Sequence, residues 1–90
     1  MHILEFVWTP EIIDKIESKH GLSPEEVEEA CSEPASHIRK TREGRHAVLG
    51  RSESGRYLFV VGMYQGGGVI RIITARDMTP TEKDLYLRHY

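Results

Sequence analysis

The sequence predicts an α+β domain, with helices packed on a small antiparallel sheet in the order β-α-α-β-β-β-β-α. Two observations carry this reading. Thr9-Pro10, Ser23-Pro24 and Thr79-Pro80 each place a capping hydroxyl before a proline suited to the first helical position. After residue 36, β-rich segments follow one another across short turns, which favours consecutive antiparallel pairing.

A short first strand is expected over Ile3 to Val7. The first helix runs from about Pro10 to His20, with an apolar stripe of Ile12, Ile13 and Ile16, and Gly21 supplies its left-handed end. Trp8 and Ile13 are placed to staple its start. The second helix runs from about Pro24 to Ser32. Ser23 and Glu26 form a capping box, Leu22 and Val27 a hydrophobic staple, and Pro34 closes the segment. Val27, Ala30 and Cys31 face inward; Glu25, Glu26, Glu28 and Glu29 form a solvated acidic face. Strands follow over His37 to Arg42, His46 to Ser52, Arg56 to Tyr64 and Val69 to Ala75, separated by turns at Glu43-Gly44, Glu53-Ser54-Gly55 and Gln65-Gly66-Gly67-Gly68. Thr79 and Glu82 make a second capping box, and the third helix runs from Pro80 towards the C-terminus. The triple glycine lacks a following Lys-Ser or Lys-Thr and a following helix, so it reads as a hairpin turn and not a phosphate loop.

Ninety residues suit one domain, spanning 1–90. No apolar run approaches the roughly 20 residues needed to cross a bilayer, and no signal-peptide pattern opens the chain. Cys31 is the single cysteine, which excludes an internal disulfide and a thiolate metal cluster; a reducing cytoplasm is the expected compartment. The net charge of −2 conceals a division: residues 1–36 carry −7, residues 37–56 carry +4 and residues 57–90 carry +1. The middle segment, with Arg39, Lys40, Arg42, Arg45, Arg51 and Arg56 around His37 and His46, suits a phosphate-rich partner. On charge alone the favoured reading is a charged strand edge that resists aggregation. Net acidity weighs against nonspecific nucleic-acid binding.

The last strand carries the sharpest chemical signal. Val69-Ile70-Arg71-Ile72-Ile73-Thr74-Ala75-Arg76 is β-branched and yet bears two arginines. A guanidinium buried without a partner is costly, so each needs a carboxylate or an anionic ligand. Regular alternation puts Arg71, Ile73 and Ala75 on one face and Arg76 on the other.

These residues also carry a resemblance. Phe6-Val7-Trp8-Thr9-Pro10, Lys19-His20-Gly21, Leu49-Gly50-Arg51-Ser52, Gly55-Arg56, the run from Ile70 to Arg76, Glu82 and Tyr86 occur in the order and spacing of the BrnT family. The chain resembles that family from about Phe6 to Tyr86. The resemblance implies a metal-independent ribonuclease toxin of a bacterial type II toxin–antitoxin pair, with a RelE-like fold. It implies a cognate DNA-binding antitoxin that neutralises the toxin, so that DNA is met only through the complex. The segment 38–45 departs from the family pattern in having no His-Ser pair before its acidic residue, and the net acidity differs from that of basic RelE-type toxins.

RNA cleavage without a metal or cofactor needs a base for the 2′-hydroxyl, cations for the phosphate and an acid for the leaving oxygen. His20, with Lys19 beside it, is the candidate for proton transfer; both also complement the end of the first helix. Arg71 and Arg76 are candidate phosphate clamps, with at least one expected to pair with a helix glutamate. Tyr86 is a candidate positioning group, or a core tyrosine with a wet hydroxyl. Arg45 and Arg56, beside hairpin turns, are candidate substrate contacts, or simply solvated. Glu43 is a weaker candidate base. His2, His37, His46 and His89 show no metal-ligand spacing, so no metal is expected. The rival reading is a noncatalytic protein-interaction module that keeps the fold, favoured by the acidic first third.

Overall fold

Local capping sets the three helices. In a computed structural model describing residues 3–88, the Ile12 amide donates to Thr9 Oγ1 over 3.3 Å and α1 (Pro10–His20) begins at Pro10. Gly21 ends it at φ 62°, a left-handed value open to glycine at little cost. Ser23 and Glu26 exchange backbone-to-side-chain bonds of 3.2 and 3.3 Å at the head of α2 (Pro24–Ser32). Thr79 and Glu82 repeat the device, at 3.2 and 2.9 Å, before α3 (Pro80–Arg88). None of these helices is long and apolar enough to cross a membrane.

Five strands form one sheet in the spatial order β1-β5-β4-β3-β2. They are β1 (Glu5–Val7), β2 (His37–Lys40), β3 (Arg45–Arg51), β4 (Tyr57–Gly66) and β5 (Val69–Asp77). The last four make the expected antiparallel meander. β1 differs: it lies parallel to β5, with Phe6 opposite Ile70, so the sheet is mixed and not antiparallel throughout. Short turns can join only antiparallel neighbours, whereas β1 reaches its partner after α1, α2 and the meander have intervened.

α1 and α2 cover one face. Ile16, Leu22, Val27, Ala30 and Cys31 bury there against Val48, Leu58, Val60, Ile70, Ile72 and Ala75. α2 crosses β3 so closely that a Cβ at Gly50 would lie 2.0 Å from the Ala30 carbonyl oxygen. The glutamates of α2 are not simply solvated. Trp8 Nε1 donates to Glu28 over 2.8 Å, the Glu53 amide donates to Glu29 over 3.1 Å, and the Arg51 amide donates to Glu33 over 3.0 Å. They tie α2 to the chain before α1 and to the β3–β4 turn.

A β-bulge decides what the other face presents. Across β4, Val61 pairs with Thr74 but Gly62 pairs with Ile72, leaving Ile73 as an extra residue in β5. Alternation therefore slips, and the buried positions of β5 run Ile70, Ile72, then Ala75. Arg71 pairs with Met63, Arg76 pairs with Phe59, and both strand partners face away from α1 and α2. The two arginines consequently share one face, where a regular strand would have separated them.

Candidate functional site

The register orders this second face into rows. Arg45, Met63 and Arg71 lie side by side on β3, β4 and β5. The next row is Arg39, Ala47, Val61 and Thr74; the next is His37, Leu49, Phe59 and Arg76. α3 covers the far end. Tyr86 is fully buried with its ring edge on Tyr57 at 5.8 Å, and Lys83 lies over the Tyr57 ring at 4.4 Å. The first two rows stay open: Arg39, Arg45 and Arg71 are exposed around half-buried Val61 and Met63.

Two kinds of arginine result. Arg76 grips Glu82 with a two-pronged fork of 2.8 and 2.9 Å and lies 4.2 Å from the Phe59 ring centre. Those hydrogen bonds hold the Glu82 carboxyl below its ordinary range. Arg56 donates to both Asp77 oxygens at 3.1 and 2.9 Å, and to the carbonyl oxygens of His20 and Gly21 at 2.8 Å each. It thus closes the C-terminus of α1 from the helix-covered side. Arg39, Arg45 and Arg71 have no ion pair with any described residue. Arg71 Nη2 donates to Met63 Sδ at 3.3 Å, and Arg39 Nη2 lies 3.5 Å from His37 Nε2. Glu5, at the β1 margin of this face, is likewise outside any described ion pair.

The residues singled out in the sequence are therefore divided. Arg45 and Arg71 come into one row, with Met63 of β4 between them. Arg76 and Tyr86 are committed beneath α3, the Tyr86 hydroxyl donating to Glu33. Arg56 is committed to Asp77 and the end of α1. Lys19, exposed, and His20, half-buried, sit at that same helix end. Arg71 is six residues from Asp77 along β5, roughly 20 Å at ordinary strand rise, and on the opposite face. Glu43 holds a left-handed backbone, φ 60°, in the β2–β3 turn beside Arg45.

His37 and Arg39 were missed as members of this face, because β2 alternates weakly and only its register against β3 aligns them. The bulge had one sequence signal, Gly62 inside a strand. Among the described residues no cluster of His, Cys, Asp and Glu could hold a metal ion; His2 and His89 lie outside them. A hollow of about 820 Å³ opens between α2 and the β3–β4 turn. Glu25, Glu28, Glu29, Glu33 and Glu53 line it against Arg51 alone, so it repels a polyanion.

Comparison with known proteins agrees with this architecture. No curated protein sequence matches the chain. The crystal structure of the Brucella abortus ribonuclease toxin BrnT superposes with a TM-score of 0.70 at 17% identity, over 84% of this chain and 97% of that one. The family model for the ribonuclease toxin BrnT of type II toxin–antitoxin systems matches residues 8–82. With that match spanning most of its length, the chain belongs to the BrnT family of type II toxin–antitoxin ribonuclease toxins.

Proposed function

We propose that the chain is a metal-independent endoribonuclease toxin that binds RNA on the open face of its sheet. The observation that carries the proposal is the set of three arginines, Arg39, Arg45 and Arg71, on one exposed face without a carboxylate partner among the described residues. Arg56 and Arg76, which tie elements of the fold together, are paired with Asp77 and Glu82. An unpaired group suits an anion that arrives from outside.

In this reading the ribose 2′-hydroxyl attacks the adjacent phosphorus and the 5′-oxygen of the next nucleotide leaves, giving a cyclic phosphate. Arg45 and Arg71 hold the phosphate oxygens as negative charge spreads over them. The histidine of this face among the described residues is His37, half-buried beside Arg39 and two rows along from Arg45; it is the candidate proton acceptor for a strand of RNA that runs from Arg45 past Arg39. His20 and Lys19 stand at the opposite face, which argues for a role at the end of α1. The RelE-like architecture implied by the resemblance is supported by the meander and its flanking helices. The cognate DNA-binding antitoxin would neutralise the toxin in the bacterial cytoplasm by covering the open arginines with carboxylates or apolar wedges.

The test is expression with and without the neighbouring antitoxin gene, then incubation of the purified chain with RNA in a chelator. Growth arrest relieved by the antitoxin, and products ending in a cyclic phosphate, are expected. RNA binding without cleavage would favour the noncatalytic module. Arrest undiminished by replacing both Arg45 and Arg71 with alanine would remove the open face from the mechanism.

A further inference from the structure

The open face is more than a basic surface, because its centre is apolar. Met63 sits between Arg45 and Arg71, with Val61 and Ala47 in the next row. Phe59 and Tyr57, further along the same face of β4, are roofed by α3 and its partners. Val61 and Met63 are left half-buried at the surface. Arg71 reaches inward over this floor, its Nη2 3.3 Å from Met63 Sδ. One donor of the guanidinium is engaged by the thioether, and Arg71 remains exposed.

We infer that Met63 and Arg71 form a platform for one unpaired RNA base, making the face selective for single-stranded RNA. This deepens the proposed function and rests on the open face being the RNA site. A guanidinium plane stacks on a base while its edge donates to phosphate, so Arg71 serves both contacts. The apolar floor beneath adds surface that a base covers on docking. Arg45 lies two strand spacings from Arg71, about 10 Å, on the other side of Met63. A backbone phosphate held at Arg45 therefore leaves the base lying over Met63. An A-form duplex presents phosphates and hydroxyls outward and keeps its bases stacked within, so it reaches the arginines and leaves the floor uncovered.

The test is fluorescence anisotropy with 2′-O-methyl RNA, which lacks the attacking hydroxyl and isolates binding from cleavage. Three probes share one sequence: a single strand, its duplex, and a single-strand series with an abasic site moved along it. The single strand should bind about tenfold more tightly than the duplex, and one abasic position should lose about the same factor, the scale of base stacking on a side chain. Met63→Ala should weaken the single strand and leave the duplex unchanged, while Met63→Leu should retain the wild-type preference. Equal binding of single strand and duplex, or no sensitive abasic position, overturns the platform even if Met63→Ala fails to fold. Binding of none of the probes overturns the RNA reading itself.

Discussion

Arg56→Ala and Arg71→Ala separate an arginine that holds the fold from one free to meet a ligand. The Arg56 guanidinium makes four hydrogen bonds, two to Asp77 and two to the carbonyl oxygens of His20 and Gly21. The Asp77 carboxylate is more than half exposed, so that pair counts as a surface ion pair of about 1 kcal/mol or less. Each carbonyl bond contributes about 0.5–1.5 kcal/mol net. The loss on truncation is therefore about 2–3 kcal/mol, and for a domain of this size the melting midpoint should fall by about 10–20 °C. Arg71 gives up one bond to a thioether, so Arg71→Ala should remain within about 0.5 kcal/mol of the parent. Circular dichroism melts measure both, and RNA cleavage is then compared at a temperature where both variants are folded. There Arg56→Ala should cleave normally and Arg71→Ala should not. Arg71→Lys should also fold normally and lose most cleavage, since an ammonium cannot reproduce the two-pronged contact. A melt of Arg56→Ala that coincides with the parent, together with lost cleavage, would refute the division.

Four further outcomes follow from the same contacts. Ser23→Ala removes one half of the α2 capping box and should cost about 1 kcal/mol in urea unfolding. Gly50→Ala forces a Cβ towards the Ala30 carbonyl; the α2 backbone must yield, and a loss of about 1–3 kcal/mol or more is expected on the same assay. Arg76 holds the Glu82 carboxyl below its ordinary range, so this stabilisation is present at neutral pH and is lost as pH falls through the depressed value. Urea midpoints from neutral pH into the acid should decline, and Glu82→Gln should flatten that part of the decline. Burial, reinforced by the charge of Glu28, pushes the Cys31 thiol up to about 12, so alkylating reagents should label it only after unfolding.

The elements that local chemistry specifies were legible before any coordinates. A cap is decided within four residues and a hairpin within a short turn, so α1, α2, α3 and the meander could be read in order. The parallel seat of β1 was not, because no local turn joins it to β5 and nothing near Glu5–Val7 names its partner. The partners of the α2 glutamates were hidden for the same reason: Trp8 and the Glu53 amide are remote in sequence. Of the open face, Arg45 was legible as a basic residue beside a hairpin turn and Arg71 as an arginine within a strong strand. Their shared orientation with Arg76 was not, since it depends on one unpaired residue, Ile73. The need for each arginine to have a partner was legible; which carboxylates answer it required the packing of Asp77 and Glu82.

The chain's net acidity looks at first like an obstacle to binding RNA. Its distribution removes the difficulty. The acids of residues 1–36 belong largely to α1 and α2, which pack on the face opposite Arg39, Arg45 and Arg71. A helix layer sits about 10 Å from the sheet it covers and carries its outer side chains further out. The Debye length at physiological ionic strength is only about 8 Å. The glutamates on the far side are therefore screened from a phosphate on the open face, and several are further engaged in tying α2 down. What such a phosphate meets is the local field of three guanidinium groups that have no ion pair with any described residue. Net charge reports solubility and long-range steering; the sidedness imposed by the sheet decides contact. An acidic chain can thus present a basic surface, provided that its structural arginines are neutralised where they stand. Arg56 with Asp77 and Arg76 with Glu82 meet that condition.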